Sequence, residues 1–311
     1  MSDSPERAST GAAVETRAGY VALVGLPNVG KSTLLNALTG EKLSIVTPRA
    51  QTTRERVMGI LTTDRAQLVF VDTPGLLEPR YLLQESMLHA ARGAIMDADA
   101  VLLLLDALRP GETLPAGEPL RLLERRREAL FVVVNKIDVV AAETVDELGE
   151  RARAQFGVEP HQVSAVTGVG VAELREALAA TLPISPYLYP ADELAVQPVR
   201  FFVAELIRET VFERYEQEVP YSTAVQIEEF RETEDPVYIR ATIVLERDTQ
   251  KAIVIGSGGV GIRDLGQRSR SKIEAFIGRH IYLDLWVKTR PGWRKKAAAL
   301  REFGYPPPER A

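Results

Sequence analysis

The segment YVALVGLPNVGKSTLLNALT (Tyr20–Thr39) leaves this chain few folds to choose from. Its opening, Tyr20–Gly25, is an apolar run of strand length. Gly25–Ser32 then spells G-x-x-x-x-G-K-S, and Lys31–Thr39 begins with the spacing of a helix. A strand, a glycine-rich turn and a helix in direct succession are the context in which this motif cradles phosphate. The N–H groups of the loop, added to those at the helix start, converge on one point and favour an anion there. Gly25, Leu26, Pro27, Asn28, Val29, Gly30, Lys31, Ser32 and Thr33 are therefore the candidate phosphate loop. Gly30 lets the chain approach closely, Lys31 would neutralise the β- and γ-phosphates, and Ser32 would ligate Mg²⁺. A glycine turn in an ordinary α/β fold is the plain alternative, and the flanking strand and helix argue against it.

Further apolar runs of strand length stand at Gln67–Asp72, Val101–Ala107 and Leu130–Lys136. Helical spacing appears at Tyr81–Met96, Glu118–Glu128, Thr144–Phe156 and Val171–Thr181. Alternation of continuous apolar strands with helices predicts a doubly wound α/β domain with a mostly parallel sheet. In such sheets ligands bind beyond the C-terminal ends of the strands. Three short motifs sit there. DTPG (Asp72, Thr73, Pro74, Gly75) offers a carboxylate to the Mg²⁺ water shell and an N–H to the γ-phosphate; Leu76 follows it. Loss of that phosphate would release the segment, which is a switch. NKID places Asn135, Lys136 and Asp138 at a strand end. A carboxylate at Asp138 can accept from guanine N1–H and the 2-amino group, whereas adenine would leave it desolvated and unpaired. Asn135 would bond the other edge, Lys136 would pack its stem over the ring, and Ser164–Ala165 can supply an N–H to guanine O6.

The chain contains no cysteine, which excludes disulfides, Cys-based zinc sites and a cysteine nucleophile. No run approaches the roughly 18 apolar residues that span a bilayer, and the N-terminus lacks the apolar core of a secretory signal, so a soluble, intracellular protein is expected. The three histidines, His89, His161 and His280, are too scattered for a metal site. The net charge of −5 hides a block from Arg247 to Arg301 with 13 basic residues against 4 acidic ones. That block suggests a polyanion partner, the plain alternative being a solvated face.

Residues 1–18 read as a mobile tail, 19–183 as the nucleotide domain, and the proline-rich 184–198 as a linker or extended bridge. Residues 199–305 change pattern to α-β-β-α-GxxG-α-β-α, a small α+β domain. Its GSGG (Gly256, Ser257, Gly258, Gly259) lies between two helices, as in KH domains, where a GxxG loop clamps a nucleic-acid backbone. The flanking Lys251, Arg263, Arg268, Arg270 and Lys272, with Lys288 on the last strand, are the candidate phosphate contacts. Ile253 and Ile255 could line a base groove, and Val254 reads as core. Trp286 and Trp293 both read as core.

The four motifs in their order resemble the G1, G3, G4 and G5 elements of translation-factor-class GTPases. QTTR (Gln51–Arg54) then matches G2, within KLSIVTPRAQTTRERVMGI. That stretch, with VPYSTAVQIEEF, VIGSGG and LWVKTRPGW, is similar to the Era family of bacterial ribosome-assembly GTPases over nearly all of residues 19–305. The resemblance implies a P-loop GTPase domain followed by a type II KH domain, with GTP/GDP and Mg²⁺ as ligands. Ser32, Asp72 and one of Thr52 or Thr53 would serve the metal. Lys31, Gly75 and the two threonines are the expected charge-stabilising residues. An apolar Leu76, where Ras-like enzymes carry a water-orienting Gln, implies slow hydrolysis. Asn28 makes potassium a candidate second ion. Era-like proteins further imply a monomer in the cytoplasm, with peripheral contact to the membrane. Its partners would be the small ribosomal subunit and the 3′ region of 16S rRNA. A metabolic P-loop kinase is the competing class, but NKID would have no purpose there.

Overall fold

The computed structural model describes residues 15–47, 49 and 51–308; most of the stretch expected to be a tail lies outside them. The first strand, β1 (Arg17–Val24), begins inside that stretch, because Arg17 and Ala18 already pair with Ala66 and Gln67. The N-terminal unit is one sheet of six strands: β1, β2 (Val57–Thr62), β3 (Ala66–Asp72), β4 (Ala100–Asp106), β5 (Leu130–Asn135) and β6 (His161–Val163). Their order is β2-β3-β1-β4-β5-β6, parallel except for β2, which runs antiparallel to β3. Every residue of β3 and β4 is buried, as continuous apolar runs require when helices cover both faces. One face packs on α1 (Lys31–Thr39) and α5 (Val171–Thr181), the other on α2 (Leu82–Asp97), α3 (Gly117–Glu124) and α4 (Ala142–Phe156). Sequence periodicity missed β2, since VMGILT carries a glycine and only six residues.

The proline-rich stretch is a strap rather than a free linker. Ala18 N–H donates to the Pro183 carbonyl, the Gln67 side chain is bonded to Leu188 and Tyr189, and Ile60 N–H donates to Leu194. The strap thereby covers the exposed edge of β2.

The C-terminal unit begins with α6 (Val199–Arg214) and α7 (Val219–Ser222). A three-stranded sheet, β7 (Ala224–Arg231), β8 (Val237–Leu245) and β9 (Ile281–Thr289), has β8 in the centre, antiparallel to β7 and parallel to β9. Between β8 and β9 run α8 (Asp248–Ile255), the GSGG turn and α9 (Val260–Ile277). This is the order the sequence predicts, except for the single turn α7. The expected last helix from Trp293 is interrupted: a short 3₁₀ turn, then α10 (Ala297–Glu302). A fourth apolar cluster joins the two units, packing Leu83 and Met87 of α2 against Trp293, Leu300, Phe303 and Tyr305.

Candidate nucleotide site and nucleic-acid groove

The phosphate loop leaves β1 and enters α1 through two glycines at positive φ, Gly25 at 150° and Gly30 at 100°. A Cβ at Gly25 would lie 2.6 Å from the Leu104 carbonyl, and one at Gly30 would collide with the Asn135 amide. Only glycine fits either place. The loop borders a cleft of about 340 Å³ that also receives Thr53, Gly75 and Lys136. Lys31 is buried there, its ammonium donating to the Gly25 carbonyl at 3.3 Å and the Leu26 carbonyl at 3.0 Å. Burial pushes its pKa down to about 8, against the pull of Asp72.

Asp72, at the end of β3, is fully buried. Its Oδ2 accepts from Ser32 at 2.7 Å, from Ser44 at 3.1 Å and from Thr53 at 3.1 Å. Burial raises its pKa, while Lys31 and the three hydroxyls pull the other way. Its Oδ1 is buried without a hydrogen-bond partner among the described residues. An unsatisfied carboxylate oxygen beside two hydroxyls, those of Ser32 and Thr53, is a hard oxygen donor set that fits Mg²⁺. The choice between the two threonines is decided by direction. Thr53 Oγ1 lies 2.9 Å from Ser32 Oγ, whereas Thr52 Oγ1 turns away to Thr47 and the Arg49 carbonyl. Both threonines border the cleft, but only the Thr53 hydroxyl meets Ser32 and Asp72.

Thr73 anchors its loop through the Leu23 carbonyl, and Pro74 is buried. Gly75 packs on Pro27, where a Cβ would sit 2.8 Å from the Pro27 ring and nitrogen. Leu76 is buried and donates its N–H to Gly25.

Next to the phosphate loop a smaller hollow of about 120 Å³ is formed by Gly30, Thr33, Asn135, Lys136, Asp138 and Ala165 with two valines. Asp138 is exposed at its rim, with room for a base edge. Asn135 differs from expectation. Its amide donates to the Val29 carbonyl at 2.9 Å and its oxygen accepts from the Ala165 N–H at 3.0 Å. It braces the phosphate loop to the Ser164–Ala165 turn, and that N–H is engaged within the protein. Lys136, at φ 69°, reaches the Asn28 carbonyl at 2.8 Å and Asp106 at 2.6 Å.

In the C-terminal unit a second cleft, of about 570 Å³, runs between α9 and β9. Ile262, Leu283 and Leu285 give it an apolar floor, and Arg263 and Arg270 edge it. Arg263 folds back on the Gly258 and Gly259 carbonyls, tying the groove to GSGG. The other expected cations are not gathered there. Residues seven apart on α9 share a face, but Arg268 and Lys272 lie on the far side of that helix. Arg268 pairs with Asp264, and Lys272 with Glu209 and Glu213 of α6. Lys288 bonds Glu228 on the open face of the sheet, and Lys251 is half-buried on α8.

The apolar readings divide likewise. Val254 is buried and Ile253 exposed. Trp293 is core as expected, but Trp286 is 54% exposed, as is Tyr282 four residues earlier on the same strand at 58%. Strand alternation carries the signal that would have found them. Ile281 and Val287 face the helices, so Tyr282 and Trp286 face the side of the sheet that the helices leave open.

A family described as "50S ribosome-binding GTPase" matches residues 20–136, and one described as "KH domain" matches 218–294. The chain is similar to GTPase Era of Afipia carboxidovorans, 43% identical over 93% of this chain and 94% of the relative. Its similarity to GTPase Era of Carboxydothermus hydrogenoformans is 39% over 93% and 98%. Among solved structures, a variant of Aquifex aeolicus Era bound to GDP·AlF4⁻ superposes with a TM-score of 0.88 at 37% identity, covering 94% of this chain and 100% of that one. Era in complex with MgGDPNP and nucleotides 1506–1542 of 16S ribosomal RNA also superposes with a TM-score of 0.88 at 37% identity, covering 94% and 99%.

Proposed function

Because the chain belongs to the Era family of GTPases, we propose that its nucleotide state sets the grip of its C-terminal KH domain on the 3′ region of 16S rRNA as the small ribosomal subunit matures. The reaction is hydrolysis of GTP to GDP and phosphate. One observation supports the reading above the rest: a relative loaded with a GTP analogue and bound to that RNA shares this chain's structure across both units.

In this proposal residues 19–183 handle nucleotide and 199–305 handle RNA. The phosphate loop from Gly25 to Thr33 wraps the phosphates. Lys31 exchanges its carbonyl partners for phosphate oxygens. Ser32 and Thr53 would hold Mg²⁺, with Asp72 reaching its water shell through the unpaired Oδ1. When bound, that ion supplies charge neutralisation between the β- and γ-phosphates. Gly75 presents its N–H to the γ-phosphate. Leu76 brings no group that polarises water, so intrinsic hydrolysis is slow. Asp138 reads guanine, and Asn135 keeps the base and phosphate loops in register.

Potassium is proposed at the cleft rim. The support is Asn28 itself, held at a left-handed φ of 67° on the lining of the phosphate-loop cleft. Hydrolysis should then run faster in potassium than in sodium, and equal rates would remove the ion from the site.

On the RNA side GSGG approaches the backbone, Arg263 and Arg270 meet phosphates, and the floor of Ile262, Leu283 and Leu285 receives unstacked bases. The protein is proposed to act as a monomer in the cytoplasm. No helix among the described residues is long and apolar enough to cross a membrane, so contact with lipid would be peripheral.

The test is RNA affinity with nucleotide exchanged. An oligonucleotide of the 16S 3′ end should bind about 5–150-fold tighter with a GTP analogue than with GDP. It should also loosen steeply with salt. Identical affinities in the two nucleotide states would defeat the proposal.

A further inference from the structure

Arg54 follows Thr53 directly, yet it belongs to the other half of the molecule. The residue is buried, 5% exposed, and its guanidinium hydrogen bonds reach carbonyls of the C-terminal unit. Nη1 donates to the Thr223 carbonyl at 2.5 Å; Nη2 donates to Pro220 at 3.1 Å and Tyr221 at 3.0 Å. These carbonyls cluster at the end of α7, where helical carbonyls run short of intrahelical donors, although Pro220 also accepts from the Thr223 N–H. The same cation lies 5.9 Å from the ring centroids of both Trp293 and Tyr305. Trp293 in turn donates to the Ser222 carbonyl, so the rings and the carbonyls form one fixed socket.

The socket is costly to leave. A buried guanidinium that loses its acceptors is left with an uncompensated charge. At the other end of the dipeptide, the Thr53 hydroxyl touches Ser32 and Asp72. Adjacent Cα atoms are about 3.8 Å apart, so a seated Arg54 keeps the Thr53 backbone tethered within that distance of a fixed point. The arrangement of the two units seen here is shared with relatives holding GDP·AlF4⁻ or MgGDPNP with RNA.

From this geometry we infer that Arg54 is a positioning residue: seated in the Trp293–Tyr305 socket, it locks Thr53 over the Mg²⁺ site and the KH domain in its RNA-gripping orientation at once. The inference rests on the proposed function and adds the device that couples its two halves. Coupling is reciprocal. The C-terminal domain therefore holds the GTP form together as much as GTP holds the domain.

Two variants approach the contact from opposite sides, Arg54→Ala from the nucleotide domain and Tyr305→Leu from the C-terminal one. The chain has no native cysteine, so fluorophores at Glu147→Cys and Glu232→Cys, both exposed, report the distance between the units in the full-length protein. In the labelled parent, transfer efficiency should differ between GTP analogue and GDP. In either variant that difference should vanish, GDP affinity should stay within about twofold, and the preference of RNA for the GTP form should fall from about 5–150-fold to about one. A nucleotide-dependent distance change of parental size in Arg54→Ala or in Tyr305→Leu would overturn the inference. So would a loss of GDP binding equal to the loss of GTP binding, since that reports general damage. The distance signal needs no RNA. If the parent shows it but binds no 16S oligonucleotide, the proposed function fails and the Arg54 device stands.

Discussion

Replacing Asp138 by Asn should lower GTP affinity by something on the order of 10⁴-fold while leaving the fold intact. The carboxylate is exposed at the rim of the base hollow, so no packing is lost. What changes is the hydrogen-bond pattern offered to the base. Guanine presents two donors, N1–H and the 2-amino group, and a carboxylate accepts both. An asparagine amide offers one acceptor and one donor pair, which sets donor against donor. Xanthine replaces the 2-amino group with a carbonyl and keeps N1–H, so the same amide suits it. Titration of the variant with GTP, XTP and ATP should show GTP lost, XTP recovered and ATP unimproved. Parental GTP binding in Asp138→Asn would mean that the base is read elsewhere, and the guanine assignment would fall.

Lys31→Ala should remove most hydrolysis, by about 10²–10³-fold or more, because one preorganised charge at the transferring phosphate is deleted. It also makes a prediction about the nucleotide-free protein. The Lys31 ammonium is buried against two carbonyls, and its pKa is pushed down to about 8 from an ordinary 10.5. A lowered lysine pKa means that the folded state gives up its proton first. Below pH 8 both states hold the proton and the burial penalty is constant. Between 8 and 10.5 the unfolded chain binds more protons, so stability rises with pH. The gain is of the order of 3 kcal/mol at most. Denaturant melts of parent and Lys31→Ala from pH 7 to 10 should show the parent gaining relative to the variant. A constant gap would mean that Lys31 is not a strained buried cation waiting for phosphate.

The chemistry of the nucleotide site was readable from residue order because each part is contiguous. A phosphate loop is eight consecutive residues of backbone, and its two obligatory glycines occur within it. DTPG and NKID are read the same way, each at the end of an apolar strand. The KH-like order of the second unit was also legible, since strand and helix periods differ. Elements too short or too irregular for a period, β2 and α7, were not. The expected cations on α9 divide between two faces. Charge counting says that a segment is basic, but only the helical face says whether an arginine meets RNA, as Arg263 can, or a neighbouring helix, as Lys272 does.

The sequence alone determined the fold class, the guanine-nucleotide chemistry and the family, through motifs whose action depends on neighbours along the chain. Tertiary structure decided which threonine meets Ser32 and Asp72, which tryptophan is core, and what Arg54 holds. The last two are relations between segments more than a hundred residues apart: Arg54 meets Thr223, and Met87 shares an apolar cluster with Trp293. A contact of that kind leaves no period or spacing in either segment, because each one satisfies its own local preferences whether or not the other is present. Only when the whole chain is folded do the two surfaces find what each must bury.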